Sequence, residues 1–153
     1  MKRKALAITL AAVMAMGTCA VTASAADGDK YTIGICQLVQ HDALDAATQG
    51  FKDEVIKELG EDAVTFDEQN AQGDSNTCST IVNSFVSNNV DLILANATPA
   101  LQAAAAGTSD IPILGTSVTE YGVALGLDDF DGTVGGNISG TADLAPLDEQ
   151  AAM

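Results

Sequence analysis

The chain has 153 residues, room for one domain, with 47% hydrophobic and 4% aromatic residues and a formal net charge of −15. Six basic residues against 21 acidic ones exclude the electrostatic footprint of a nucleic-acid binder or of a protein that clings to anionic membranes. One histidine, three cysteines and scattered carboxylates show no metal-ligand spacing, so no metal and no cofactor are expected.

In chain order, Lys2, Arg3 and Lys4 precede an apolar run from Ala5 to Met16, and Ala23-Ser24-Ala25 fits a small-residue cleavage site. Residues 1–25 therefore read as a secretory signal peptide. Cys19 offers a lipid-anchor alternative, although Met16-Gly17-Thr18 matches poorly what precedes a lipidated cysteine. Cleavage would leave three basic residues against 21 acidic ones, a charge of −18. A substrate domain is then expected over residues 26–143.

Tyr31 to Val39 reads as a β-branched first strand. A helix follows, with His41 or Asp42 near its cap and Leu44, Ala47, Phe51, Val55 and Leu59 on one face. Gly60 ends it. Ala63 to Glu68 is a second strand, Gln69 to Asp74 a polar turn, and Ser75 to Asn88 a helix whose core stripe is Cys78, Ile81, Val82, Phe85 and Val86. Leu92 to Ala95 is a third, buried strand. Thr98 is expected to cap the next helix, with Pro99 at its first position and Gly107 as its C-cap. Ile111 to Gly115 is a fourth strand, 116–119 a loop, Glu120 to Leu125 a short helical turn, and 126–136 a Gly- and Asp-rich loop. Asn137 to Asp143 is a short strand or crossover. Pro146 opens a further helix in which the chain stops, so residues 144–153 read as the start of a crossover to a missing second unit.

This βαβαβαβ alternation specifies an α/β fold, a doubly wound parallel sheet with helices on both faces. Ligands of such sheets sit beyond the carboxyl ends of the strands. Those ends here carry Gln37, Val39 and His41; Asn70, Gln72 and Asp74; Asn96, Ala97 and Thr98; and Thr116, Ser117 and Thr119. Amides and hydroxyls on four successive loops suit a small polar ligand, although each is also an ordinary turn residue. Enzyme signatures are missing: no Gly-x-Gly-x-x-Gly turn, no Walker loop and no Gly-x-Ser-x-Gly elbow occurs. His41 has no nucleophile with an orienting partner beside it, so no catalytic residue is assigned and the chain is not read as an enzyme. Cys36 and Cys78 read as small buried hydrophobes, with a disulfide left open. Asn96-Ala97-Thr98 and Asn137-Ile138-Ser139 match the glycosylation sequon where turn chemistry already explains them.

Gln37 with His41-Asp42-Ala43-Leu44-Asp45, Gln69 to Asp74, Ala97-Thr98-Pro99-Ala100 with Gln102, Asp110 to Ile113, Thr116 to Thr119 and Gly135 to Gly140 together resemble the tryptophan/tyrosine-type substrate-binding proteins of ABC transporters. The resemblance covers nearly all of the chain after residue 25. It implies the first lobe of a two-lobed, periplasmic-binding-protein-like fold, truncated before lobe 2. It further implies an exported, monomeric receptor, in the periplasm or on the outer face of the cytoplasmic membrane, that closes on an aromatic or other hydrophobic amino acid and delivers it to a membrane permease. Gln37, Val39, Ala97, Thr98, Thr116, Ser117 and Thr119 would form this lobe's ligand face. Thr98, Ser117 and Thr119 would hold the ligand carboxylate, and Asp143 or Asp74 would receive its ammonium. Lacking the second lobe, the chain lacks half of that cleft. The acidic loop from Asp128 to Thr133 also departs from the family. A ligand-binding sensory domain of a signalling protein is the alternative from another class, and a secreted α/β enzyme relying on His41 is a third.

Overall fold

A computed structural model describes residues 30–143. The expected signal peptide and the helix opening at Pro146 lie outside these residues. Five strands, β1 (Tyr31–Gln37), β2 (Val64–Asn70), β3 (Leu92–Asn96), β4 (Ile113–Val118) and β5 (Ile138–Ala142), form one sheet in the order β2-β1-β3-β4-β5. Every neighbouring pair is parallel. The helices α1 (Asp42–Leu59), α2 (Ser75–Ser87), α3 (Thr98–Gly107) and α4 (Tyr121–Leu125) connect them in turn, with a single 3-10 turn at Glu61–Ala63 ahead of β2.

The helices divide unequally between the faces. α2, α3 and α4 cover one face around Phe85, Ile93, Leu101, Val82 and Ile113, all essentially without solvent contact. α1 covers the other face, where Phe51 and Val55 pack over Ile33, Ile35 and Leu94. The α2 stripe behaves as its spacing requires, since Cys78, Ile81, Val82 and Phe85 are all buried. The α1 stripe does so only in part: Thr48 is the helix's one fully buried residue, and Leu59 is 48% exposed. Lys52 ties α1 to the edge strand β2 through Glu68 at 2.8 Å and lies over the Phe66 ring.

Several element boundaries differ from the sequence reading: β1 ends at Gln37 rather than Val39, β2 runs on into the expected turn as far as Asn70, and β4 and α3 shift as well. β4 continues through the expected loop to Val118, because β5 pairs with it as far as Val118↔Ala142. The run from Gly115 to Val118 faces Gly140 to Ala142, one residue more on β4, and Ser117 takes up that extra residue at φ 55. α3 starts one residue early: Ala97, not Thr98, is its N-cap, and Gly107 is its last turn rather than its cap.

Glycine is used where another element presses on the sheet. A Cβ on Gly34 would lie 2.6 Å from the Phe85 ring. Cβ atoms on Gly115 and Gly140, which are register partners, would collide with the Tyr121 hydroxyl. That hydroxyl donates to the Thr141 carbonyl at 3.2 Å and so pins α4 beneath β5.

Cys36 on β1 and Cys78 on α2 are free and fully buried in one cluster. Burial pushes both thiols up, and it pushes the Tyr121 phenol up as well.

Gly34→Ala is expected to cost ~1–3 kcal/mol by overpacking, read as a lower urea midpoint, and Phe85→Leu in the same chain should recover part of that loss. Additive effects of the two changes would show that Gly34 and Phe85 do not share that space. Alkali provides a second expectation. In the unfolded chain the thiols and the phenol ionise near 9.0 and 10.0, while folding holds them neutral. Their contribution is complete below about pH 8 and is lost as the pH rises through and beyond the unfolded values. Urea midpoints that stay level between about pH 8 and 10.5 would refute this linkage.

Candidate functional site

Parallel pairing places four strand ends in one row. Asn70 of β2 is opposite Gln37 of β1, Gln37 is opposite Asn96 of β3, and Asn96 is opposite Thr116 of β4. From this row β1 leads to α1 on one face, while β3 leads to α3 on the other. The two connections diverge, and the gap between them is where an open parallel sheet receives a ligand.

Gln37 does not reach that gap. It is 4% exposed, and its side chain turns into the interface between β1 and α1. Its Nε2 donates to Asp45 Oδ1 at 2.5 Å and to the Val39 carbonyl at 3.0 Å, while its Oε1 accepts from the Thr48 hydroxyl at 2.7 Å. The amide is fully engaged by the protein itself. The residue expected to meet a ligand instead anchors the loop that leaves β1.

Ala97 follows β3 with φ 93 and ψ 157, a region that residues other than glycine seldom enter. Two bonds hold it there: its N–H donates to the Thr116 carbonyl at 3.0 Å, and its carbonyl accepts from Leu101 at 3.1 Å. The first extends the sheet and the second starts the helix, so one residue serves both. No side chain caps α3. The other described α-helices are capped by His41, Asp74 and Glu120, each of which accepts from a first-turn N–H. The amides of Thr98 and Ala100, Pro99 having none, are thus left for an outside acceptor, at the end where the helix dipole favours an anion. Thr98, half-buried, opens this turn beside them.

The remaining expected residues are spread along the edge. Half-buried Thr116 and Ser117 sit at the bulge next to Ala97. Thr116 also borders a groove of about 360 Å³ with Phe51, Leu94 and Leu114 on the α1 face. Val39, 37% exposed, stands across the gap with Gln40, Asn70 and Gln72 around a shallow depression. Thr119 is exposed and borders a cavity of about 470 Å³ that lies between α4, Phe130, Val134 and β5, away from the gap between β1 and β3. Asp143 is exposed, its N–H donating to the Val118 carbonyl at 3.0 Å, and its charge helps to raise the Tyr121 phenol. Asp74 is occupied as the cap of α2, where it accepts from Asn76 at 2.7 Å. The sequon at Asn96 is fully buried, and the Asn137 amide is engaged by the carbonyls of Thr108 and Ile111.

Residues 32–153 match the family described as ABC transporter substrate binding protein. The chain belongs to that family. It is 45% identical over 123 residues to a tyrosine-binding protein of Clostridioides difficile (strain R20291), an alignment that takes in 76% of this chain and 34% of the relative. It is similar to the ligand-free, open structure of a substrate-binding protein with adhesive properties from Clostridium difficile. The TM-score is 0.72 and the identity 40%, over 78% of this chain and 41% of that one. A Streptococcus structure in complex with L-Trp aligns with a TM-score of 0.68 and 32% identity, over 74% of this chain and 39% of that one. The chain thus spans about a third of the length of its curated relative and about two fifths of these structures. For an ABC substrate-binding protein, the described fold is one lobe, and its carboxyl edge is the face from which the gap between β1 and β3 opens.

Sequence reasoning passed over Thr48, and it took Asn96 only as a strand-end amide and Asp45 only as part of the family resemblance. One signal was present: Thr48 lies four residues after Leu44 on the helix face that turns to the sheet, a polar residue among apolar neighbours.

Ala97→Gly is expected to stabilise the protein by ~1 kcal/mol, because glycine occupies this backbone region without strain. The urea midpoint should rise at an unchanged slope. A fall would show that the Ala97 methyl contributes more by packing than its backbone costs.

Proposed function

We propose that this substrate-binding protein supplies one half of an extracytoplasmic receptor for an aromatic amino acid, which it delivers to an ABC permease, and that it carries out no catalysis. The observation that carries the reading is the uncapped start of α3 beside the strained Ala97, in a chain 45% identical to a protein named for binding tyrosine. The L-Trp complex of a second relative points to the same ligand class.

The chemistry suits a zwitterion. The free Thr98 and Ala100 amides at the start of α3 and the Thr98 hydroxyl, with Ser117 on the neighbouring strand, offer donors to a carboxylate, whereas Thr119 borders the cavity beside β5. Asp143 is the carboxylate at the end of β5 for an ammonium, since Asp74 is already engaged as a cap. Val39 offers an apolar wall. Gln37 acts through the loop it holds. A single lobe leaves one side of such a ligand in water, so affinity should rise when a second lobe closes over it. The export signal expected in residues 1–25 and the monomeric state belong to this same proposal.

The test is a titration of the ¹⁵N-labelled chain with L-tyrosine and L-tryptophan, followed by amide shifts. Saturable shifts are expected at Ala97, Thr98 and Ala100 (Pro99 has no amide proton) and at Ser117, with a dissociation constant of ~1 mM or weaker for the single lobe. Shifts centred instead on Phe130, Val134 and Ile138 would move the site to the cavity beside β5, and no shifts with any aromatic amino acid would remove the ligand assignment.

A further inference from the structure

The buried amides and hydroxyl behind the row of strand ends form a chain with one direction. Asn96 Nδ2 donates to the Leu44 carbonyl at 2.8 Å and to Thr48 Oγ1 at 2.9 Å. Thr48 then donates to Gln37 Oε1 at 2.7 Å. Gln37 Nε2 in turn donates to Asp45 Oδ1 and to the Val39 carbonyl. Every side-chain proton of Asn96, Thr48 and Gln37 is used, and the chain ends on a carboxylate in the first turn of α1. Hydrogen bonds aligned in one direction and ending on a charge reinforce one another, and they do so most where water is excluded.

The other end of the chain is bare. Asn96 is fully buried, and its Oδ1 is the buried side-chain polar atom without a partner among the described residues. A buried acceptor left unpaired is unfavourable. An apolar side chain of similar size would avoid that cost and still fill the space. The amide is therefore of use for its donated bonds, to Leu44 and Thr48 on α1, with Gln37 Oε1 a longer third contact at 3.5 Å. Through them the end of β3 grips the start of α1. Through Gln37 the same chain grips Val39, in the loop Leu38–His41 that forms one side of the gap. Backbone bonds agree in placement: Leu38 donates to the Asn96 carbonyl at 3.2 Å, and Gly73 donates to the Leu38 carbonyl at 2.7 Å.

We infer that Asn96, with Thr48 and Gln37, is a positioning residue for the ligand edge, holding the Leu38–His41 loop at a set distance from Ala97 and the start of α3. This inference rests on the reading of that edge as the ligand face. None of the three side chains needs to touch the ligand. Their effect is to keep Val39 from drifting relative to the α3 amides, so that the loop's ordering is not a cost at the moment of binding.

Thr48→Val tests it, because valine keeps the shape and removes the hydroxyl that links Asn96 to Gln37. Hydrogen exchange at the amides of Val39 to Ala43 is expected to speed up ~10-fold or more, the equivalent of one lost hydrogen bond. Amides in β4 and in the second half of α3 should keep their rates. L-tyrosine affinity should fall ~10-fold in parallel. Thr48→Ser should restore both. Val82→Ala, a core change elsewhere, serves as the comparison, because it lowers stability and should leave affinity unchanged. If Thr48→Val does not fold, Asp45→Asn, which removes the charge at the end of the chain, should give the same two changes at smaller size. Unchanged loop exchange overturns the inference, as does faster loop exchange with unaltered affinity. If the unaltered protein binds no aromatic amino acid, the functional reading fails and the network's role toward a ligand fails with it. The exchange measurement then still decides whether the network holds the loop.

Discussion

Gln37 and Asn96 stand side by side at the ends of two parallel strands, and the placement of the proposed ligand edge follows from that pairing. β1 and β3 are neighbours in the sheet but are separated in sequence by α1, β2 and α2. Their ends coincide because the register brings residue 37 against residue 96. Beyond that point one connection turns to each face. A crevice must open there, since two helices cannot leave neighbouring strands toward opposite faces without leaving space between them. The amides of the same two residues, turned inward, tie the crevice wall to α1.

Polar groups at this edge do two different jobs, and burial separates them. Gln37, Asn96 and Thr48 are hidden from water and bonded to one another, so they contribute geometry. Thr98, Thr116, Ser117 and Thr119 keep access to solvent, which leaves their hydroxyls available. The division is physical: an amide with every proton engaged inside the protein has nothing left to offer a ligand, whereas a partly exposed hydroxyl exchanges a water for a ligand oxygen at little cost.

Two of the four non-glycine residues with positive φ among the described residues lie on the same row. Ala97 lies in a region suited to glycine, and Ser117 adopts a left-handed conformation in the next strand. Both are over-determined by the sheet. Ala97 bonds to Thr116 on one side and to Leu101 on the other, and Ser117 absorbs the extra residue of a bulge. Strain that persists because its surroundings fix it is common where a binding surface is shaped in advance. Here it leaves the amides of α3 uncapped, whereas α1, α2 and α4 each have a side chain to cap them.

Sequence alone determined the architecture. Buried apolar strands alternating with helices of 3.6-residue period, Asp74 ahead of α2, Gly60 after α1 and the stripe from Cys78 to Phe85 are local features. Each follows from side-chain volume, periodicity or a cap within a few residues. The edge proposed as the ligand face was visible for the same reason, since the end of a strand is a local property. Tertiary structure decided what the individual side chains do there. Gln37 and Thr116 look alike in the sequence as polar residues at strand ends. The first is consumed by Thr48 and Asp45 and the second stays accessible, because α1 covers β1 but leaves the end of β4 open. The cap of α3 moved from Thr98 to Ala97 because Ala97 is also bonded to a strand distant in sequence. Such outcomes depend on contacts between residues tens of positions apart, and no local pattern of polarity or period encodes them.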